Sequence, residues 1–197
     1  MKTIIIAEIG VNHNGRTSIA KKLIRKISET GASYVKFQAF DPKSLVTSET
    51  KLAGYQYKNL NNKNITQRKM LSKYSLSLNQ IIELRKFSKK LNIKFLLSVF
   101  DLESLKIIKK LKFSILKIPS GEITNYPLLT AISKIKIKII LSTGMSNIKE
   151  ITQAIKVLTS QRIKKKDISL LQCNTDYPTK YSDINLNIID VLKKKYN

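Results

Sequence analysis

Short apolar runs alternate along the chain with longer stretches in which apolar residues recur every three or four positions. Residues 3–9 form an apolar, β-branched run, which predicts a strand, and a Gly/Asn-rich turn follows, Gly10-Val11-Asn12-His13-Asn14-Gly15. Over residues 18–30, Ile19, Leu23 and Ile27 repeat at spacing four, which predicts a helix with Gly31 as its C-cap. Residues 34–37 open a second strand. From Asp41 to about Ser75 the chain is polar, Asn-rich and weakly periodic, and reads as a long loop or lid. Beyond it the pattern predicts helix 78–91, strand 94–100, helix 102–111, strand 115–118, helix 127–133, strand 137–141, helix 148–158, strand 168–173 and helix 186–195.

Six strands separated by helices imply a parallel sheet covered by helices. Two architectures satisfy that pattern, a doubly wound open sheet and a (β/α)8 barrel. No Gly-x-Gly-x-x-Gly follows a strand, which argues against a dinucleotide site. Polar residues do not gather after one strand but follow all six: Glu8; Lys36; Ser98; Lys117 with Ser120 and Glu122; Ser142 with Thr143; Thr175 with Tyr177. A ring of functional side chains at the strand C-termini is the barrel arrangement, and a whole barrel takes about 250 residues and eight strands. With 197 residues, the expectation is a single α/β unit of TIM-barrel type, truncated after about six β/α units and without an obvious linker or repeat.

Composition narrows the function classes. Apolar residues make up 42% of the chain, enough for a core, so a disordered polycation is excluded. One cysteine, Cys173, excludes a disulfide framework, and one histidine, His13, excludes a two-His metal site within this chain. No apolar run is long enough to span a bilayer, and the start lacks the pattern of a secretory signal, so a soluble cytoplasmic protein is expected. Lys+Arg number 37 against 13 Asp+Glu, a net charge of +24, which raises nucleic-acid binding. The excess, however, is 32 Lys with only 5 Arg, spread over predicted helix surfaces, and the abundant types Lys, Ile and Asn all have AT-rich codons. No RNP motif, helix-turn-helix or basic tail is present, so the charge is better read as a field for a small anionic substrate.

The strand ends supply the candidate chemistry. Lys36 and Lys117, each flanked by apolar residues, suit an anion or a Schiff base, or simply snorkel. Ser120-Gly121 and Ser142-Thr143-Gly144 offer hydroxyls and exposed N–H groups of the kind that bind phosphate or carboxylate, though ordinary turn chemistry uses the same residues. Glu8 and Glu122 either face a polyhydroxy substrate or pair with the lysines. His13 reads as a turn residue, and Cys173 as a small buried strand residue without the setting of an activated nucleophile.

Four ordered motifs, residues 6–15 (IAEIGVNHNG), Val35-Lys36-Phe37-Gln38, residues 117–128 (KIPSGEITNYPL) and residues 140–145 (ILSTGM), resemble the sialic acid synthase family, which includes N-acetylneuraminate, legionaminate and pseudaminate synthases. The resemblance implies a (β/α)8 barrel that condenses phosphoenolpyruvate with an N-acetylated hexosamine. It implies that Lys36, Ser98, Lys117, Ser120, Ser142 and Thr175 hold phosphoenolpyruvate. It implies that Glu8, Glu122, Tyr177 and the Tyr55-Gln56 pair face the sugar, and that Glu8, Lys36, Lys117 and Glu122 are the catalytic set. The family's divalent ion, usually manganese, is held by histidines on strands seven and eight; those strands, and the C-terminal antifreeze-like domain that acts across the family's homodimer, are expected to be missing here. Two departures stand out: Leu97-Ser98-Val99-Phe100 replaces the usual Ser-Thr-Pro-Phe, and Gln172 stands where the family has His. Alternatives to a working synthase are a non-catalytic remnant of one and a basic nucleic-acid-binding protein.

Overall fold

The computed structural model describes residues 3–52 and 65–196. The chain forms two compact units, Met1–Ile107 and Ile108–Asn197. The first carries β1 (Ile6–Gly10), α1 (Thr17–Ser28), β2 (Tyr34–Ala39), α2 (Pro42–Leu45), α3 (Gln67–Tyr74), α4 (Leu78–Lys90) and β3 (Lys94–Val99). Helix α5 (Leu102–Lys110) runs across the boundary in sequence. The second carries β4 (Ile115–Ile118), α6 (Tyr126–Ser133), β5 (Lys138–Ser142), α7 (Ile148–Leu158), β6 (Ile168–Leu171) and α8 (Ile188–Tyr196).

In the first unit β1, β2 and β3 lie side by side, all parallel. Side chains alternate across a strand, so partnered residues share a face. Val35, Phe37 and Ala39 align with Phe95, Leu97 and Val99, and all six are buried in the layer between sheet and helices. The Phe37 and Phe95 rings stack with centroids 5.0 Å apart. The other face carries Glu8, Lys36, Gln38, Leu96 and Ser98. In the second unit β4, β5 and β6 are likewise parallel. Leu116, Ile118, Ile139 and Leu141 are buried, as are Leu128, Leu129 and Ile132 of α6 and Ile151, Ala154 and Leu158 of α7. Lys117, Ile140 and Ser142 occupy the opposite face.

The helices start where local chemistry dictates. Ser77 and Gln80 close a capping box at α4, and Asn147 and Glu150 do the same at α7, each satisfying two N–H groups that a helix start leaves open. Asn125 caps α6, with Pro127 in its first turn, where a missing N–H costs nothing.

Several sequence expectations shift. The stretch after β2 is not an uninterrupted loop: α2 and α3 form within it, with Asp41 and Thr66 as their N-caps, signals that the weak apolar periodicity hid. In α1 the fully buried pair is Ala20 and Ile24, one position on from the Ile19, Leu23 and Ile27 stripe, which is half-buried. Helix α1 ends at the Glu29 cap, and Gly31, with φ 79°, turns the chain two residues later. Strand β6 stops at Leu171, so Cys173 lies beyond it and is half-buried, not a buried strand residue.

Candidate functional site

In the first unit the site is built on Lys36. The sequence places it at a strand end, but it is the third residue of β2, inside the ladder. It is buried, 3% exposed. A buried ammonium needs partners, since its loss of hydration is worth several kcal/mol. Two are present: Glu8 Oε2 at 2.8 Å and Ser98 Oγ, which accepts from Nζ at 2.8 Å. Parallel register explains the convergence, because Glu8 is the β1 partner of Lys36 and Ser98 lies on the same face of β3, two residues after its β3 partner Leu96. Two of the three N–H donors of Lys36 are thereby accounted for.

The β1 register slips between Glu8 and Gly10, so Gly10 rather than Ile9 faces Phe37. Gly10 takes φ 55°, a left-handed conformation that suits glycine, and the chain then curls through successive turns from Asn12 N–H to Ile9 O (3.0 Å), Asn14 N–H to Val11 O (2.9 Å) and Arg16 N–H to His13 O (2.9 Å). His13 lies inside this turn and is fully buried. Burial lowers its pKa from the usual 6.5, opposed by the Gly10 carbonyl.

One residue that the sequence reading passed over ties two strand exits together. Asp101 follows β3, is buried, and accepts the Asp41 N–H at 2.7 Å and the Ser104 N–H at 2.6 Å. It thus links the exit of β2 to that of β3. Its signal was an Asp-x-x-Ser step immediately before an apolar helical run, a helix-start pattern.

In the second unit three strand exits are laced by short turns. Lys117 is the third residue of β4, half-buried, and Ser120 opens a single turn of 3-10 helix, Ser120–Glu122. Ser120 Oγ accepts the Gly144 N–H at 3.0 Å, joining the exits of β4 and β5. Thr143 donates both its N–H (3.1 Å) and its hydroxyl (2.9 Å) to Leu171 O, joining β5 to β6. Cys173 Sγ donates to Ser142 Oγ at 3.4 Å. The packing admits only glycine at position 144: a Cβ there would lie 2.9 Å from Cys173 O, 2.9 Å from Ser120 Oγ and 3.1 Å from Thr175 Cγ2. Ser120 and Thr175 therefore meet at Gly144, while Ser142 is joined to Cys173. Glu122 accepts from Asn125 Nδ2 at 2.7 Å, while the Asn125 carbonyl oxygen caps α6, so one amide fixes both.

Tyr177 is 71% exposed and precedes a cis peptide bond to Pro178. Tyr55 and Gln56 lie outside the described residues. Lys36, Glu8 and Ser98 belong to the first unit, and Lys117, Ser120, Glu122, Ser142, Thr175 and Tyr177 to the second.

A common pattern runs through the three serines. Ser98 accepts from Lys36, Ser120 from the Gly144 amide and Ser142 from the Cys173 thiol. A hydroxyl that accepts one hydrogen bond keeps its own O–H to donate.

A manganese site does not fit the donors described. Among the described residues no three His, Cys, Asp or Glu side chains form a group able to hold a metal ion. The imidazole of His13 already accepts the Gly15 N–H on Nδ1. No helix among the described residues is long and apolar enough to cross a membrane.

Comparison with known proteins bears on the whole chain. It is 46% identical over 195 residues to the N,N'-diacetyllegionaminic acid synthase of Campylobacter jejuni, covering 99% of this chain and 58% of that protein. It is 37% identical over 198 residues to the Legionella pneumophila enzyme of the same name, covering 55% of it. The chain therefore spans somewhat more than half the length of these relatives. Among solved structures, the N-acetylneuraminic acid (sialic acid) synthetase of Leptospira borgpetersenii, in complex with citrate, matches with a TM-score of 0.82 and 30% identity over 100% of this chain and 62% of that one. The six β/α units are thus those of a truncated TIM-barrel fold, the one of the two architectures that the polar residues at the strand ends and the four motifs pointed to. The NeuB family profile matches residues 23–197, a span that holds three of the four motifs, and the chain belongs to the NeuB family.

Proposed function

We propose that the chain carries the phosphoenolpyruvate-binding and part of the sugar-binding apparatus of a nonulosonic acid synthase, a protein that joins phosphoenolpyruvate to an N-acetylated hexosamine. The observation that carries this reading is the buried Lys36 ammonium, held between the Glu8 carboxylate and the Ser98 hydroxyl in a NeuB-family chain. A buried cation with an unassigned donor, together with serine hydroxyls that keep an O–H to donate, suits a small anion of high charge. The citrate of the Leptospira structure is an anion of that kind.

In this reading Lys36 and Ser98, and Lys117, Ser120, Ser142 and Thr175, bind the phosphate and carboxylate of phosphoenolpyruvate. They stabilise the charge that moves onto the phosphate as its C–O bond breaks. Carbon 3 of the enol forms the new bond to the open-chain sugar aldehyde, and water supplies the hydroxyl at carbon 2. Glu8, Glu122 and Tyr177 accept or donate hydrogen bonds to the sugar hydroxyls, with Tyr55 and Gln56 alongside. Glu8 is suited to this because its carboxylate is 60% exposed while anchored on Lys36. A divalent ion, if bound, would supply Lewis-acid polarisation of the aldehyde, and among the described residues the His, Cys, Asp and Glu side chains do not form a group able to hold it. Homodimer formation, as the family suggests, is part of the proposal.

The test is titration of phosphoenolpyruvate by calorimetry. Saturable binding that is weakened at least about tenfold by Lys36→Met, a loss of about 1.4 kcal/mol, supports the reading. Equal affinity in the wild type and in Lys36→Met refutes it.

A further inference from the structure

The β1–α1 turn holds the one histidine of the chain, and the reaction outlined above gives it no role. Its surroundings are specific. The ring is fully buried and lies 5.8 Å, centroid to centroid, from Phe37, the residue next to Lys36 on β2. Nδ1 accepts the Gly15 N–H at 3.0 Å. Nε2 is buried with no partner in hydrogen-bond geometry. A neutral imidazole that accepts on Nδ1 carries its proton on Nε2, so this contact selects one tautomer. The lowered pKa agrees with a neutral ring, and no neighbouring charge is among its causes.

The turn is constrained at both ends. Gly10 takes its left-handed conformation at the slip in register opposite Phe37. Gly15, φ 71°, is pressed against α3, where a Cβ would fall within 2.1 Å of the Lys73 carbonyl oxygen. His13 bridges the two: its ring rests on the β2 layer and its Nδ1 holds the Gly15 amide. Glu8 lies two residues before Gly10, and Lys36 immediately precedes Phe37. The imidazole therefore packs on the β2 neighbour of Lys36 and ties down the turn that follows Glu8 and Gly10.

We infer that His13 is a positioning residue: as a neutral, Nε2-protonated imidazole it fixes the β1–α1 turn on Phe37 and thereby holds Glu8 against Lys36. A buried polar atom without a partner is costly. Committing Nδ1 to Gly15 leaves the ring proton on Nε2, which has no partner in hydrogen-bond geometry, while the Gly10 carbonyl is the backbone group that acts on the ring. The functional value of the inference rests on the reading of Glu8 and Lys36 as substrate-binding groups, but the geometry it describes does not.

The experiment uses the full 197-residue chain. Long-range nitrogen–proton spectra of the wild type report the tautomer, expected to be Nε2-protonated at neutral pH. Nuclear Overhauser contacts between the Lys36 ε-methylene and the Glu8 γ-methylene report the ion pair. His13→Asn, whose carboxamide oxygen can accept the Gly15 N–H, is expected to keep those contacts. His13→Phe, which fills the space and packs on Phe37 but cannot accept, is expected to lose them and to bind phosphoenolpyruvate about tenfold more weakly, the order of one lost hydrogen bond. An Nδ1-protonated ring in the wild type overturns the inference, as does a folded His13→Phe with the contacts intact. Should His13→Phe fail to fold, the wild-type tautomer and His13→Asn decide, and loss of the contacts in folded His13→Asn counts against it. Wild type that shows the expected contacts but binds no phosphoenolpyruvate sinks the synthase reading and leaves the positioning role standing.

Discussion

Lys36 and Glu8 form an ion pair of unequal burial: at 2.8 Å separation, the lysine side chain is 4% exposed and the glutamate 60%. The two charges are therefore not equivalent. Removing the carboxylate leaves a buried ammonium with Ser98 as its remaining assigned partner. Removing the ammonium leaves a carboxylate that water can solvate. Glu8→Gln is expected to destabilise the chain by about 1–3 kcal/mol, and the further change Lys36→Met to restore most of that loss. Urea unfolding of both single variants and the double variant measures the coupling. Additive losses would show that the pair contributes no coupling energy.

A second prediction concerns Gly144. Its amide holds Ser120, and the space for a side chain is closed by Cys173 O, Ser120 Oγ and Thr175 Cγ2. One of these is backbone and cannot swing away. Gly144→Ala is expected to cost about 1–3 kcal/mol, the usual range for overpacking, and to weaken anion binding through displacement of Ser120. Gly121→Ala is the matched control, because a Cβ there meets nothing within 4 Å. Similar Tm values for the two variants would contradict the crowding.

The turn glycines allow strain and crowding to be separated. Gly15 and Gly31 both take positive φ, 71° and 79°, but only Gly15 faces an obstacle, the Lys73 carbonyl oxygen. Gly31→Ala should cost about 1–2 kcal/mol from left-handed strain alone. Gly15→Ala adds a backbone clash and should cost at least about 3 kcal/mol. Equal losses in thermal unfolding would mean that α3 does not press on the β1–α1 turn.

How much of this was legible beforehand varies with the physics behind each signal. Strand and helix order came through because apolar periodicity reports burial directly, and Ile115–Ile118 and Ile148–Leu158 begin and end where the pattern said. Helices α2 and α3 were missed because their signals, Asp41 and Thr66 as caps, are polar and lie outside any apolar stripe. The Lys36–Glu8 pair was weighed as an ordinary ion pair and as part of a substrate site, and it is a pair; register, which no single sequence displays, brings the two together. Asp101 escaped because its partner Asp41 lies 60 residues away in sequence. The link between Ser120 and Gly144 was invisible for the same reason, being a contact between two turns 24 residues apart in sequence.

His13 gives a pH dependence with a definite sign. Burial lowers its pKa in the folded chain below the 6.5 of an unperturbed imidazole. Between those two values the unfolded chain binds more protons than the folded one, so stability rises with pH there. The contribution is fully present above 6.5 and is lost as pH falls below it toward the lowered folded value. Protonation would also put a hydrogen on Nδ1, where the Gly15 N–H already points. The difference in unfolding free energy between wild type and His13→Asn should therefore shrink as the pH is taken below 6.5. A difference that stays constant across that range would show that the imidazole does not titrate with folding.

The last prediction separates binding from turnover. Phosphoenolpyruvate recognition, in the reading proposed above, draws on Lys36, Ser98, Lys117, Ser120, Ser142 and Thr175, all present in this chain. Polarisation of a sugar aldehyde by a divalent ion needs a set of donors with fixed geometry. Here the one imidazole is buried and its Nδ1 is taken by Gly15, and the described carboxylates do not gather into a metal-holding group. The 197-residue chain prepared alone is therefore expected to bind phosphoenolpyruvate yet to release no phosphate in the presence of N-acetylated hexosamine and manganese. The control is the Campylobacter jejuni relative, of whose length this chain covers 58%. A phosphate-release assay run on both proteins checks the split. Turnover by the short chain at a rate near that of the relative would show that its own carboxylates suffice for the metal-assisted step. Absence of both binding and turnover, with the fold intact by circular dichroism, would favour a non-catalytic remnant over a chain that keeps a working anion site.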